Sequence, residues 1–300
     1  MKLDSKRARV SGGDLAYVDE GQGPAVVLLH GFPTSSHLWR DLVPMLAPRF
    51  RAIAPDLLGY GDSTKPEDPE ALTIRAQARQ LSELLDGLGV TEFAAVGHDI
   101  GGGVAQLLAL EGGATTLILA DSISFDSWPI EAVKMLQAGE PAQADQELVA
   151  GVVTLALDTG MAVPERLTDE DRTEYLRPWL ADPPSLFRAA RGIDGVGLIG
   201  TEDRLGALDA RALVVWGEED AYLPVPLAER LGEALPGATV ALLPGCGHYV
   251  IEDAPEAVLP LIAEYLRVHH LRESHAHHGG ATPVELGISF DRPSHREPED

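Results

Sequence analysis

The sequence predicts an α/β protein with a mainly parallel sheet, helices on both faces and a helical segment inserted late in the strand series. Three observations predict it. Short apolar runs alternate with amphipathic stretches through the first half of the chain. That rhythm fails between residues 121 and about 206, and afterwards it returns. Strands separated by helices need crossover connections, which are right-handed and leave a parallel sheet covered on both sides.

Residues 26–29 form a continuous apolar run closed by Gly31 and Pro33, as a buried strand requires. Residues 51–55 repeat the pattern and end before the turn-rich segment 59–62. Ile74, Ala78, Leu81, Leu85 and Leu88 recur at spacings of three and four, one face of a helix that stops at Gly89. Residues 93–96 are the next strand, and a helix follows over about 101–110. Residues 116–120, 213–216 and 240–243 complete the strand series. A final helix spans about 255–268, with Pro260 expected to kink it or delay its start.

The chain therefore divides into a core of residues 1–122 and 207–269, a helical lid of residues 123–206 and a polar C-terminal tail of residues 270–300. The lid segment carries Phe125, Trp128, Met135, Met161, Tyr175, Trp179 and Phe187, an aromatic content suited to covering a site. The tail has low hydrophobicity and no periodicity. His269, His270, His275, His277 and His278 cluster around it and read as solvated residues rather than a metal site.

Composition excludes several classes of function. Three hundred residues can bury one large domain with an insertion. A net charge of -24, from 23 basic and 47 acidic residues, disfavours nucleic acid and anionic membranes, both of which need a positive surface. No run approaches the roughly 18 apolar residues that cross a bilayer. No apolar stretch follows the basic start, so no secretory signal is expected. Cys246 is the single cysteine, which rules out an internal disulfide and suits a reducing, cytoplasmic setting. Neither a metal-ligand cluster nor a phosphate-binding glycine loop is present in the right context, so no cofactor is expected.

The sharpest motif is VGHDIGG, residues 96–102, joining a predicted strand to a predicted helix. A nucleophile on so tight a turn needs small flanking residues, here Gly97 and Gly101, and Asp99 occupies the nucleophile position. HGFP, residues 30–33, follows the first apolar strand. A loop there can donate one backbone N–H to an oxyanion while the residue after the nucleophile donates another, which singles out Phe32 and Ile100. His30 is expected to brace the loop, His98 to pack inward and His37 to face the surface or the lid. GCGHYV, residues 245–250, places His248 on a late loop as candidate base. Asp220, in WGEEDAYLP past a strand end, could fix the tautomer of that histidine. Asp121 is the alternative acid, and Glu218 and Glu219 are local competitors.

Residues 30–66 together with GHDIGG resemble the epoxide hydrolase and haloalkane dehalogenase branch of the α/β-hydrolases. The resemblance covers roughly residues 15–122 and 207–268 and is weak across the lid. It implies the α/β-hydrolase fold, a mainly parallel eight-stranded sheet flanked by helices with an inserted lid, and a triad of Asp99, His248 and Asp220.

An aspartate in the nucleophile position selects the chemistry. A carboxylate with a reference pKa near 4 is ionised at neutral pH, so it can displace a leaving group from an sp³ carbon and form an alkyl ester. Attack on a carboxylic ester would instead give a strained anhydride. Alkyl halides and epoxides are therefore favoured over esters.

The resemblance also sets what each leaving group requires. Dehalogenases hold halide with side-chain donors beside the oxyanion loop and after the nucleophile, where this chain has Phe32 and Ile100, neither of which can donate. Fluoroacetate dehalogenases place arginine after the nucleophile, a role closed to Ile100. Epoxide hydrolases need lid O–H donors, which makes Tyr175 the expected ring-opening acid, with Trp128 and Trp179 as further lid donors. The first expectation is an epoxide hydrolase acting on small hydrophobic epoxides with water. The alternatives are a haloalkane dehalogenase-like hydrolase, an esterase, lactonase or C–C hydrolase variant, and a non-catalytic ligand-binding protein. A homodimer stays open.

Overall fold

The computed structural model describes residues 4–270. Eight strands form one sheet: β1 (Ser5–Val10), β2 (Gly13–Glu20), β3 (Ala25–Leu29), β4 (Arg51–Pro55), β5 (Phe93–His98), β6 (Ala114–Ala120), β7 (Arg211–Gly217) and β8 (Thr239–Leu243). Their spatial order is β1-β2-β4-β3-β5-β6-β7-β8. The β1–β2 and β2–β4 pairs are antiparallel and the remaining neighbours are parallel.

Each central strand feeds two cores, because successive side chains leave opposite faces of a strand. Val26 and Leu28 pack on one side with Leu42 and Leu266, while Val27 and Leu29 pack on the other with Leu81 and Val104. The first side is covered by α1 (Leu42–Leu46) and by a C-terminal helix. The second is covered by α2 (Ile74–Gly87) and α3 (Ile100–Glu111). α2 buries Ile74, Ala78, Leu81 and Leu85, the stripe its spacing predicts, and the Thr73 side chain caps it by accepting from Ala76 N–H.

Between β6 and β7 run α4 (Glu131–Ala138), α5 (Gln146–Gly160), α6 (Asp169–Ala181), α7 (Pro184–Gly192) and the single turn α8 (Glu202–Leu205), with no strand among them. The chain closes with α9 (Val225–Ala234), the turn α10 (Val250–Asp253) and α11 (Pro255–His269).

Three expectations need correction. The residues before β3 form an antiparallel hairpin, which the strand series read from sequence did not include. Pro260 does not delay the last helix, which starts at Pro255 and runs through it. His270 is buried rather than solvated: one ring nitrogen is 2.9 Å from the Ala25 carbonyl and the other 2.9 Å from Thr115 Oγ1. His269 stacks near Tyr265 with ring centroids 4.4 Å apart. His275, His277 and His278 lie outside the described residues.

The topology also says where to look for chemistry. Strand order reverses between β3 and β5, so the crevice beyond their carboxyl ends is where open α/β sheets receive ligands.

Candidate active site

Asp99 stands at that crevice, on the first residue after β5 and immediately before α3. Its backbone is left-handed, φ 51° and ψ -121°, which a non-glycine residue adopts only where the surroundings enforce it. Gly97 and Gly101 make the turn possible. A Cβ at Gly97 would lie 2.4 Å from the Gly101 carbonyl oxygen, and one at Gly101 would lie 2.3 Å from that of Leu29.

The Asp99 carboxyl is almost wholly buried. Phe32 N–H donates to its Oδ2 at 2.9 Å, and Ile100 N–H also bonds the carboxyl. Its Oδ1 has no hydrogen-bond partner among the described residues. Burial pushes the pKa of Asp99 up to about 6, against the opposing pull of His248 and the two N–H donors.

His248 faces Asp99 from the loop after β8, with Nε2 4.0 Å from Asp99 Oδ1. Its Nδ1 lies 3.0 Å from Asp220 Oδ2. Burial disfavours its charged form, but the charge and hydrogen bond of Asp220, helped by Asp99, raise the imidazole pKa above its ordinary value. Asp220 lies past β7, where Oδ1 accepts from Tyr222 N–H at 2.8 Å and Leu223 N–H at 2.9 Å. Burial opposes its ionisation, yet His248 and those donors hold its carboxyl below the usual range.

The structure thus brings Asp99, His248, Asp220, Phe32 and Ile100 together. It separates the alternative acid. Asp121 Oδ1 accepts from Gly217 N–H at 2.9 Å, and Asp220 rather than Asp121 bonds the histidine. Burial, together with the charge of Asp220, raises the Asp121 pKa well above its ordinary value. His30 braces its loop, with Nε2 accepting from Leu57 N–H at 3.0 Å. His98 is buried with Nε2 2.9 Å from the His248 carbonyl, and burial pulls its pKa down to about 3. His37 meets the inserted helices at Asp171, 2.8 Å away.

A cavity opens above Asp99 and His248. Phe32, Trp128, Ile130, Val133, Leu136 and Ala156 supply most of its wall, and Tyr222 and Tyr249 complete it beside the histidine. Among the described residues, no lysine or arginine lines it.

The lid donors divide sharply. Tyr175 does not reach the cavity, because its hydroxyl donates to Glu252 in a buried cluster with Arg40. Trp179 is committed as well, since its indole N–H donates to the Pro33 carbonyl at 2.7 Å. Tyr222 lines the cavity, but its hydroxyl donates to the Ala156 carbonyl at 2.8 Å. Trp128 lines the cavity with its buried indole N–H unpartnered among the described residues. Sequence reasoning missed the cavity role of Tyr249, although it adjoins His248 in the motif.

Comparison with known proteins identifies the family. The model of the alpha/beta hydrolase family matches residues 26–261. The chain is 30% identical to "Haloalkane dehalogenase 2" of Mycobacterium bovis, over 87% of this chain and 93% of that one. It is 31% identical to the "Soluble epoxide hydrolase" of a Corynebacterium species, over 86% and 95%. A solved alpha/beta hydrolase fold protein from Burkholderia ambifaria superposes with a TM-score of 0.81 at 28% identity, covering 88% of this chain and 98% of that one.

Proposed function

The chain belongs to the alpha/beta hydrolase family and is a hydrolase, and from that premise we propose that it works through a covalent alkyl ester on Asp99. One observation carries this reading. Asp99 Oδ2 accepts from Phe32 N–H at 2.9 Å, with Ile100 N–H also directed at the carboxyl, while Oδ1 has no hydrogen-bond partner among the described residues and stands opposite His248.

Oδ1 attacks an sp³ carbon from the cavity, the C–O bond forms and the leaving group departs with the electron pair. Ester formation removes the negative charge of Asp99, one of the influences that favour protonated His248. The imidazole is therefore more readily in its neutral, proton-accepting form when a base is needed. His248 takes a proton from water, the resulting hydroxide attacks the Asp99 carbonyl, and the oxyanion develops on Oδ2 facing the N–H donors. Its collapse breaks the acyl–oxygen bond and expels an alkoxide, which takes the proton from His248 and leaves as the alcohol. Asp220 holds the imidazole in the required tautomer and stabilises its charged form. The inserted helices act as a lid.

The wall of the cavity favours a neutral alkyl halide. A halide leaves without a proton, so a hydrogen-bond donor suffices, and the Trp128 N–H is one. The lack of a cation in the lining, with a net charge of -24, disfavours a substrate carboxylate. This replaces the epoxide-first expectation, which leaned on Tyr175. An epoxide remains the second reading because Tyr249 lines the cavity and its phenol could protonate an alkoxide.

Intact mass spectrometry on His248→Ala tests the mechanism and the leaving group together. General-base help is worth about 10²–10⁴ in rate, so removing the base traps the ester. An alkyl adduct on Asp99 from 1-bromobutane supports the halide, and a hydroxyalkyl adduct from styrene oxide supports the epoxide. Turnover without any adduct, surviving Asp99→Ala, sinks both.

A further inference from the structure

The His248 loop is fastened at several points, and one fastener is a buried carboxylate that the mechanism above does not use. Asp253 ends α10 and is 2% exposed. Its Oδ2 accepts from Gly247 N–H at 2.8 Å and from Ala162 N–H at 3.0 Å, and its Oδ1 accepts from Val163 N–H at 3.1 Å. Gly247 immediately precedes His248, while Ala162 and Val163 lie just beyond α5 in the inserted helices. Beside this clamp, His248 N–H donates to the Gly160 carbonyl at 2.6 Å. The approach leaves no slack, because a Cβ at Gly247 would come within 2.3 Å of the Gly160 oxygen.

We propose that Asp253 is a positioning residue for the hydrolytic half of the reaction, tying the loop that carries His248 to the chain just after α5. The inference rests on the covalent reading above and deepens it. Phe32 and Ile100 orient Asp99 for the alkylation step, and neither bonds Asp253. His248 enters as base only once the ester exists. Losing the clamp therefore slows ester hydrolysis while leaving displacement of the leaving group largely intact.

Asp253→Asn keeps the size but offers one oxygen and an amide NH₂. At least one of the three N–H groups then faces another donor. A displacement of about 1 Å can cost roughly 10²-fold in rate. The expected result with 1-bromobutane is bromide release in the first turnover within about twofold of wild type, hydrolysis slowed by about 10–100-fold and the Asp99 ester visible at steady state. In substrate-free protein, the downfield proton NMR resonance of the His248 Nδ1–H bonded to Asp220 should broaden or vanish. Mere destabilisation of the fold would not slow one half-reaction selectively.

Asp253→Glu keeps both acceptor oxygens, moved by one methylene, and should fall between wild type and Asp253→Asn. If Asp253→Asn does not fold, Asp253→Glu decides alone: slowed hydrolysis with intact alkylation supports the role, and wild-type rates for both overturn it. Equal loss in both steps, or an unchanged resonance with unchanged hydrolysis, likewise overturns it. An absence of adduct in His248→Ala would instead remove the covalent reading, and the NMR comparison would still report on the clamp.

Discussion

Asp99, His248 and Asp220 form a buried cluster with atoms left open, whereas Arg40, Glu252, Tyr175, Asp171 and His37 form one in which each charge is answered. In the first, Asp99 Oδ1 is unpartnered and His248 stands 4.0 Å from it. In the second, Arg40 Nη1 and Nη2 each donate to Glu252 at 2.7 Å, and Arg40 Nε reaches Asp171 at 2.9 Å. His37 and the Thr168 hydroxyl complete the partners of Asp171, and the Tyr175 hydroxyl completes those of Glu252. The satisfied cluster joins α6 to α10 and to the 3₁₀ turn Ser36–Trp39 that precedes Arg40. It holds the inserted helices on the core. The open cluster pairs a raised Asp99 pKa with unused hydrogen-bonding capacity, the condition expected where a substrate completes the set.

The largest test of this contrast is pH. Asp99 attacks as a carboxylate, and burial sets its pKa at about 6. Its active form is therefore lost as pH falls through 6, so bromide release in the first turnover should drop about tenfold per unit, or roughly 100-fold by pH 4. An acid limb near the ordinary carboxylate value would mean that the cluster is wetter than its burial implies. The next test is Trp128→Phe, which keeps an aromatic ring, though a smaller one, and removes the unpartnered donor. Deleting one hydrogen bond to the departing halide, which carries developing negative charge, should cost about 1.5–3 kcal/mol, or roughly 10–150-fold in the alkylation rate. Hydrolysis of the preformed ester should be unaffected. A variant with normal halide release would take Trp128 out of the open set.

The same division explains what could be read from the sequence. The open cluster was legible because each member sits in a short pattern fixed by local geometry. Gly97 and Gly101 flank Asp99, Gly247 precedes His248, and Asp220 follows a strand end. The satisfied cluster was not legible, since Tyr175 and Glu252 are 77 residues apart and nothing near either names the other. Tyr175 looked like a cavity donor because the resemblance calls for lid O–H donors and it is the one tyrosine of residues 123–206. Asp253 is one of 47 acidic residues, and no local motif sets it apart from the others. The β1–β2 hairpin escaped for another reason: β1 is largely exposed and lacks an apolar run, and its signal was the Gly12–Gly13 pair between polar alternations.

Tyr175→Phe is the smallest of the expected effects and separates the two clusters most cleanly. The substitution removes one hydroxyl and leaves the ring packed against His37, whose centroid is 5.3 Å away. Glu252 keeps both bonds to Arg40, so no charge is stranded. Burial and then the charge of Glu252 raise the phenol well above its ordinary pKa, so the hydroxyl acts as a fixed donor and not as a source of protons. A hydrogen bond to a charged group contributes about 1.5–3 kcal/mol, and for a chain of this size each kcal/mol moves the melting temperature by about 2–4 °C. Calorimetry should therefore show a drop of roughly 3–12 °C, while turnover of 1-bromobutane and of styrene oxide stays within about twofold of wild type, because the hydroxyl lies outside the cavity. If ring opening of styrene oxide fell by 100-fold instead, with bromide release unchanged, Tyr175 would have to swing away from Glu252 during turnover, and the satisfied cluster would be part of the chemistry after all.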